Sequence, residues 1–159
     1  MKKVALLLVL IFVLCVCCAC DPKPEKGGTQ DDNDQNEQEI TTMYITIYGN
    51  KLEVTLENNS SVKALVELLK QGDITYTGDD YGGFEKVGYI GHDLPKKDTW
   101  LTTSAGDVVL YQGNNICIMV GSNSYSYTRI GKICGYSVSE LKELVGTGKG
   151  STEITLSLQ

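Results

Sequence analysis

The chain has 159 residues, a formal net charge of −6 and 21% charged residues. No segment carries the dense basic character of nucleic-acid-binding proteins, so we expect no nucleic-acid partner. The length and the 42% of hydrophobic residues are sufficient for one domain with its own core.

The first twenty residues predict an export signal. Lys2 and Lys3 give a positive start, and residues 4–19 form an uncharged apolar run. This run is shorter than the roughly 20 residues that span a membrane, and it suits the apolar part of a signal peptide. Ala19 provides the small residue that precedes a cleavage point.

The end of this segment resembles a bacterial lipoprotein signal, which implies cleavage before Cys20 and lipid on its thiol. The usual leucine is missing from Cys17-Cys18-Ala19-Cys20. Cys17 has Leu14 at the corresponding distance, but bulky Val16 precedes it, so Cys20 is favoured. The resemblance implies a protein bound through lipid to the extracytoplasmic face of a bacterial cell membrane.

Residues 21–39 predict a disordered tether. They contain seven acidic residues, two lysines, no aromatic residue and no large aliphatic residue. Such a segment cannot bury enough apolar surface to offset its loss of entropy on ordering. A flexible chain of this length reaches roughly 25 Å. The folded domain is therefore expected over residues 40–159.

The pattern in this domain predicts about seven strands and two short helices. Gly49-Asn50 indicates a hairpin turn, Asn59 or Ser60 can cap the first helix, and Ser137 with Glu140 forms a capping box. The glycine-rich stretch 77–95 is interpreted as a loop. The strands are expected at 43–48, 51–56, 73–77, 107–111, 116–120, 125–133 and 153–158, and the helices at 61–70 and 137–145.

Hairpin-linked strands without alternating βαβ units favour a mainly β fold. We expect a closed or nearly closed antiparallel barrel with one helix covering each end. A two-layer α+β sandwich is the alternative.

Residues 146–152 read Gly-Thr-Gly-Lys-Gly-Ser-Thr and are similar to a phosphate-binding loop. Gly150 separates Lys149 from Ser151, which breaks the required spacing. The segment also follows a helix instead of preceding one, and the C-terminal end of a helix repels anions. We interpret it as a helix stop and turn.

Two cysteines, Cys117 and Cys134, remain in the domain. They could pair after export, or they could be two small buried hydrophobic residues. Two cysteines and the single histidine, His92, are too few for the usual four ligands of a structural zinc site, and we expect neither a metal nor a cofactor.

Three segments together resemble the bacterial cyclophilin-like domains. They are Tyr-Gly-Gly-Phe-Glu-Lys-Val-Gly at 81–88, Gly-Asp-Val-Val-Leu-Tyr-Gln-Gly-Asn at 106–114 and Ser-Tyr-Ser-Tyr-Thr-Arg-Ile-Gly-Lys-Ile at 124–133. The resemblance covers roughly residues 43–158 and implies a cyclophilin-like barrel. It does not fix an activity, because one fold supports many functions.

Active cyclophilins carry a Phe-His-Arg segment and a Phe-Met-x-Gln-Gly-Gly segment, and neither occurs here. No catalytic residue can therefore be assigned. Arg129 is the single arginine and lies in an aromatic strand, where it could bind a ligand or pair with a carboxylate at the barrel rim. We expect one cleft that binds a peptide or small ligand and is lined by Tyr81, Phe84, Tyr127 and Arg129.

The sequence thus predicts a lipid-anchored extracytoplasmic binding module with a peptide or protein partner. One alternative is a weak peptidyl-prolyl isomerase or chaperone for exported proteins. Another is an accessory domain that docks to a membrane or redox partner.

Overall fold

The computed structural model describes residues 39–159. The predicted signal at 1–20, its lipidated Cys20 and all but the last residue of the tether lie outside the described residues. The described part contains β1 (Thr42–Ile47), β2 (Asn50–Leu56), α1 (Ser60–Leu69), β3 (Ile74–Tyr81), β4 (Glu85–Tyr89), β5 (Thr99–Thr102), β6 (Asp107–Tyr111), β7 (Asn115–Met119), β8 (Ser124–Ile133), α2 (Val138–Val145) and β9 (Thr152–Ser157).

Eight of the strands form a closed antiparallel barrel in the order β2-β1-β9-β3-β4-β7-β6-β8. The ring closes where β2 pairs with β8, with Val54 opposite Ile133. The remaining strand, β5, pairs with the first part of β8, where Leu101 lies opposite Tyr125. The predicted mainly β barrel is confirmed, and the two-layer sandwich is not adopted.

Apolar side chains from alternating strand positions fill the barrel, together with one face of each helix. Asn59 caps α1 by accepting a hydrogen bond from the Val62 amide, and the predicted capping box of Ser137 and Glu140 begins α2. Asn50, at the β1–β2 turn, donates to the Leu144 carbonyl of α2. Helix α1 follows the opposite end of β2, so the two helices cover opposite ends of the barrel, as predicted.

The loop prediction is wrong for most of residues 77–89, because β3 continues to Tyr81 and β4 spans Glu85–Tyr89, whereas residues 90–95 form no strand, as predicted. Two of the five glycines in residues 77–95, Gly78 and Gly88, lie inside strands. A Cβ atom at Gly88 would collide with the Thr77 carbonyl and the Tyr76 ring, and one at Gly78 would collide with the Ile154 side chain. Glycine is therefore required at Gly88, where backbone occupies the space, whereas a side chain at Gly78 would have to displace the end of Ile154. Glycine normally indicates a break in a strand. Strand β5 was also not predicted.

The first hairpin turn lies one residue earlier than predicted. Ile47 pairs with Asn50, so that Tyr48 and Gly49 are the central residues. Both have positive φ, 48° and 77°, as the tight turns of two-residue hairpins require.

Lys86 of β4 is fully buried and is paired with groups of β3 and of the loop that follows α2. Its Nζ lies 2.9 Å from Asp80 Oδ1 and donates to the Gly150 carbonyl at 2.7 Å. The amides of Gly148 and Gly150 donate to the other carboxylate oxygen of Asp80 at 3.0 and 2.8 Å. The loop that is similar to a phosphate loop thus binds the protein's own carboxylate.

This pairing determines the protonation of Asp80. Burial raises the pKa of the Asp80 carboxyl, but hydrogen bonds from Lys86 and the loop amides outweigh burial, and the net pKa is lowered. The carboxylate therefore contributes stability that is complete above the ordinary value of 3.8 and is lost as the pH falls through the lowered pKa.

We predict that Asp80→Asn destabilises the fold by about 3 kcal/mol at neutral pH, because it leaves the buried Lys86 ammonium without a counter-charge. Urea unfolding measures the change. The exposed pair of Glu67 and Lys70, with 2.8 Å between its charged atoms, provides the control. Glu67→Gln should cost less than about 1 kcal/mol. Equal costs for the two variants, or an Asp80→Asn effect that does not shrink below pH 3.8, would contradict the assignment.

Candidate functional site

A second apolar cluster lies on the outer face of the barrel. Strand pairing places Val109 opposite Cys117 and Cys117 opposite Val87, so the three side chains share one face. Their neighbours Val108, Leu110, Ile116 and Ile118 point into the barrel core. The outer cluster consists of Leu101, Val109, Cys117, Met119 and Tyr127, with Phe84, Val87 and Tyr111 packed against it.

A cleft of about 270 Å³ opens over this outer cluster. Strands β3, β4, β6 and β8 and the turn after β7 supply its walls. The lining residues are Tyr81, Glu85, Val87, Tyr111, Asn123, Tyr125 and Tyr127. We call this site the tyrosine cleft.

Three tyrosine rings make one corner of the tyrosine cleft. Tyr111 lies 5.8 Å from Tyr125 and 6.2 Å from Tyr127 between ring centroids, with planes at 67° and 65°. Tyr125 and Tyr127 alternate along β8 onto the same face and lie 5.7 Å apart. Trp100 of β5, which is 73% exposed, extends the aromatic surface at 6.1 Å from Tyr125.

Glu85 places a buried carboxyl group in the wall of the tyrosine cleft. The residue is only 7% exposed, and its Oε2 atom has no hydrogen-bond partner among residues 39–159. Burial raises the pKa of the Glu85 carboxyl, although a hydrogen bond from the Cys117 thiol opposes the rise. Among the described residues, no lysine or arginine lines the cleft.

Two phenol groups of the cleft, those of Tyr111 and Tyr127, have raised pKa values. Burial raises the pKa of Tyr127 to about 12, and its hydroxyl accepts a hydrogen bond of 2.9 Å from the Asn123 side chain. Desolvation, followed by the neighbouring Tyr125, also raises the pKa of Tyr111. The cleft therefore combines aromatic walls with one acidic side chain, Glu85, whose Oε2 atom has no hydrogen-bond partner among residues 39–159.

Two of the four predicted ligand-binding residues, Tyr81 and Tyr127, line the tyrosine cleft. Phe84 stands next to it, because its ring meets the Tyr81 ring edge-on at 5.9 Å. Arg129 lies opposite Val109 and so shares the outer face, but it is exposed and does not line the cleft. Its charge helps to lower the pKa of Asp107. Ligand binding by these four residues stays a prediction.

Sequence reasoning did not assign Glu85, Tyr111, Asn123 or Tyr125 to the site. Glu85 was missed because β4 was interpreted as a loop. Glu85-Lys86-Val87-Gly88 does not alternate apolar with polar residues, so no periodicity signal marked this strand or placed the carboxyl on the same face as Val87.

The structure also locates the two cysteines and the histidine of the domain. Cys117 is buried and Cys134 is exposed, and neither forms a disulfide, so the alternative that both are buried is wrong for Cys134. His92 is exposed in the segment after β4. Within residues 39–159, no group of three or more histidine, cysteine, aspartate or glutamate side chains could hold a metal ion. No helix of this part of the chain is long and apolar enough to cross a membrane.

The fold and this lateral cleft define a small antiparallel β-barrel whose candidate binding site lies outside the barrel core. The model of the cyclophilin-like family matches residues 45–157. The chain therefore belongs to the cyclophilin-like family.

A solved structure supports the same fold. The solution structure of the hypothetical protein AF2241 from Archaeoglobus fulgidus is similar, with a TM-score of 0.57 and 15% identity. The alignment covers 78% of this chain and 99% of the archaeal one. At that identity the similarity concerns the fold alone. No curated protein matches the sequence.

We predict that Glu85→Gln stabilises the fold by about 1 kcal/mol at neutral pH, as substitutions at strained functional sites often do. The unfolded carboxyl ionises near its ordinary pKa of 4.5, while the folded one ionises only at higher pH. Rising pH between these values therefore favours unfolding of the wild type. The Glu85→Gln variant has no ionisable group at this position and so lacks this pH-dependent loss of stability.

Denaturant unfolding across this pH range measures the difference. Below pH 4.5 the two proteins should be nearly equal. Glu53→Gln, on the exposed side of β2, should change stability by less than about 0.5 kcal/mol. If Glu85→Gln instead loses stability relative to the wild type as the pH rises from acid to neutral, the Glu85 carboxylate stabilises the fold and the prediction is wrong.

Proposed function

We propose that this protein is an extracytoplasmic lipoprotein whose cyclophilin-like domain binds a peptide or small ligand. The observation that carries the binding function is the tyrosine cleft, which joins neutral aromatic walls to a buried carboxyl oxygen without a partner. Apolar walls with a few polar groups are the usual composition of ligand sites.

Binding is favoured over catalysis by the chemistry of the cleft. The Cys117 thiol below it is buried, and burial first and the Glu85 charge second raise its pKa well above the ordinary value. Such a thiol is a poor nucleophile. The isomerase alternative needs a hydrogen-bond donor such as arginine beside the substrate, and Arg129 does not line the cleft.

The proposed anchor is the lipid on Cys20. Mature lipoproteins carry two or three acyl chains on this cysteine, and more than one chain is needed for stable membrane attachment. The tether at 21–39 would then let the domain bind its ligand at a distance from the membrane surface.

We predict that Cys20→Ser releases the processed protein from the membrane without unfolding it, since the domain supplies no spanning helix within its described residues. Fractionation of cells followed by immunoblotting measures the distribution. Cys134→Ser, which alters an exposed cysteine of the domain, is the control and should stay with the membrane. A cleaved Cys20→Ser protein that remains membrane-bound contradicts lipid anchoring.

A ligand bound in the tyrosine cleft should stabilise the folded domain. In a thermal-shift screen of small molecules and short peptides with the full-length protein in detergent, ligands should raise the unfolding midpoint. A ligand at a hundred times its dissociation constant adds about 2.7 kcal/mol of stability. Tyr81→Leu should raise about tenfold the ligand concentration that is needed for the same shift, which corresponds to a loss of roughly 1.4 kcal/mol of binding free energy.

Tyr89→Leu is the matched control, because Tyr89 is also exposed but lies outside the tyrosine cleft. Its ligand response should equal that of the wild type. A screen in which every hit responds equally to both substitutions would place binding elsewhere and overturn the proposed site.

A further inference from the structure

We propose that the tyrosine cleft recognises a protonated alkylamine, with the ammonium group at Glu85 and its alkyl chain on Val87 and the tyrosine rings. This inference rests on the proposed binding function and names the chemical class of its ligand. An alkylammonium can be the side chain of a lysine in a peptide or a free amine, and the experiment below distinguishes these sources.

The first argument is the Glu85 carboxyl itself. Its Oε2 atom is buried and unpaired, whereas buried polar groups in proteins are nearly always hydrogen-bonded. A partner for it must donate a hydrogen bond, and a positive partner also offsets the cost of burying the charge. Within residues 39–159 no basic side chain lines the cleft and no side chain donates to Oε2, so a ligand with a charged N–H donor would supply the missing partner.

The second argument is the aromatic surface around the carboxyl. A cation within about 6 Å of a tyrosine ring centroid is attracted by the electrons of the ring face. Tyr111, Tyr125 and Tyr127 meet at angles of 59° to 67°, so their rings form adjacent walls instead of a flat stack. The faces of these rings provide this attraction.

The third argument separates the ligand classes. An anion would be repelled by Glu85, and no cation of the cleft would compensate. A quaternary ammonium ion satisfies the aromatic walls but has no N–H group for Oε2. A protonated amine satisfies both, and a cleft of about 270 Å³ accommodates a four-carbon chain, as in lysine.

The test uses Trp100, the only tryptophan of the chain, as a native reporter at 6.1 Å from Tyr125. The full-length protein in detergent is titrated with n-butylammonium, and tryptophan fluorescence is followed. A saturable change is expected. The neutral isostere 1-butanol and tetramethylammonium should each bind at least tenfold more weakly. Equal binding of 1-butanol would overturn the inference.

Two substitutions with matched controls locate the binding. Glu85→Gln keeps the shape of the side chain and should weaken n-butylammonium at least tenfold, while Glu53→Gln should not. Tyr125→Leu should weaken it several-fold, while Tyr136→Leu, at the same 45% exposure outside the cleft, should leave it unchanged. Circular dichroism checks that each variant is folded. An affinity unaffected by Glu85→Gln would refute the role of the carboxyl.

Two peptides distinguish the source of the amine. A blocked peptide with a central lysine should bind more tightly than n-butylammonium if the ligand is a peptide, and its Nε-acetylated form should not bind. If the ligand is a free amine, n-butylammonium should bind more tightly than the blocked lysine peptide. If neutral ligands bind with dependence on Tyr81 but not on Glu85, the binding function stands and the alkylamine inference fails.

Discussion

The register of β4 between its neighbours is the constraint on which the rest of the molecule depends. In the observed pairing Lys86 lies opposite Asp80 and Glu85 lies opposite Tyr81. The first pair forms the internal ion pair that fixes loop 146–150, and the second brings a carboxyl next to an aromatic wall of the tyrosine cleft. A slip by one residue would turn Glu85 inward and Lys86 outward, because side chains alternate between the two faces. Gly82 and Gly83, both with positive φ, form the turn that holds this register.

The two neighbouring charged residues of β4 differ in whether their burial is compensated by partners. Lys86 is fully buried and has a counter-charge and a carbonyl acceptor, so its burial is compensated within the chain. Glu85 is almost as buried, yet one of its oxygens lacks a partner and its pKa is raised. An uncompensated charge opposes folding, so selection for stability alone would favour an apolar residue there. Perturbed groups of this kind in clefts are concentrated at functional sites, which supports a role in binding for Glu85.

The sequence was sufficient for the elements whose local chemistry agrees with their place in the fold. The alternating strands, the Asn59 cap and the capping box at Ser137 all follow from nearest neighbours along the chain. Strand β4 could not be predicted, because Gly88 and the neighbouring turn glycines indicate a loop. Gly88 is needed because Thr77 and Tyr76 approach it closely across the sheet, and this contact depends on strand pairing. The tyrosine cleft was predicted in part, through Tyr81 and Tyr127. Its carboxyl could not be, because the proximity of Glu85 to these rings depends on strand pairing.

The position of the tyrosine cleft also explains why membership in the cyclophilin-like family leaves the ligand open. The barrel interior is filled by apolar side chains and covered by a helix at each end, so its residues are constrained by packing. The cleft uses the alternate positions of the same strands, which face outward and can change without disturbing that core. The archaeal protein shares the fold at 15% identity, which shows how far side chains can diverge around one barrel. Under the proposed binding function, ligand specificity resides in the outward positions, which here combine Glu85 with the tyrosine rings.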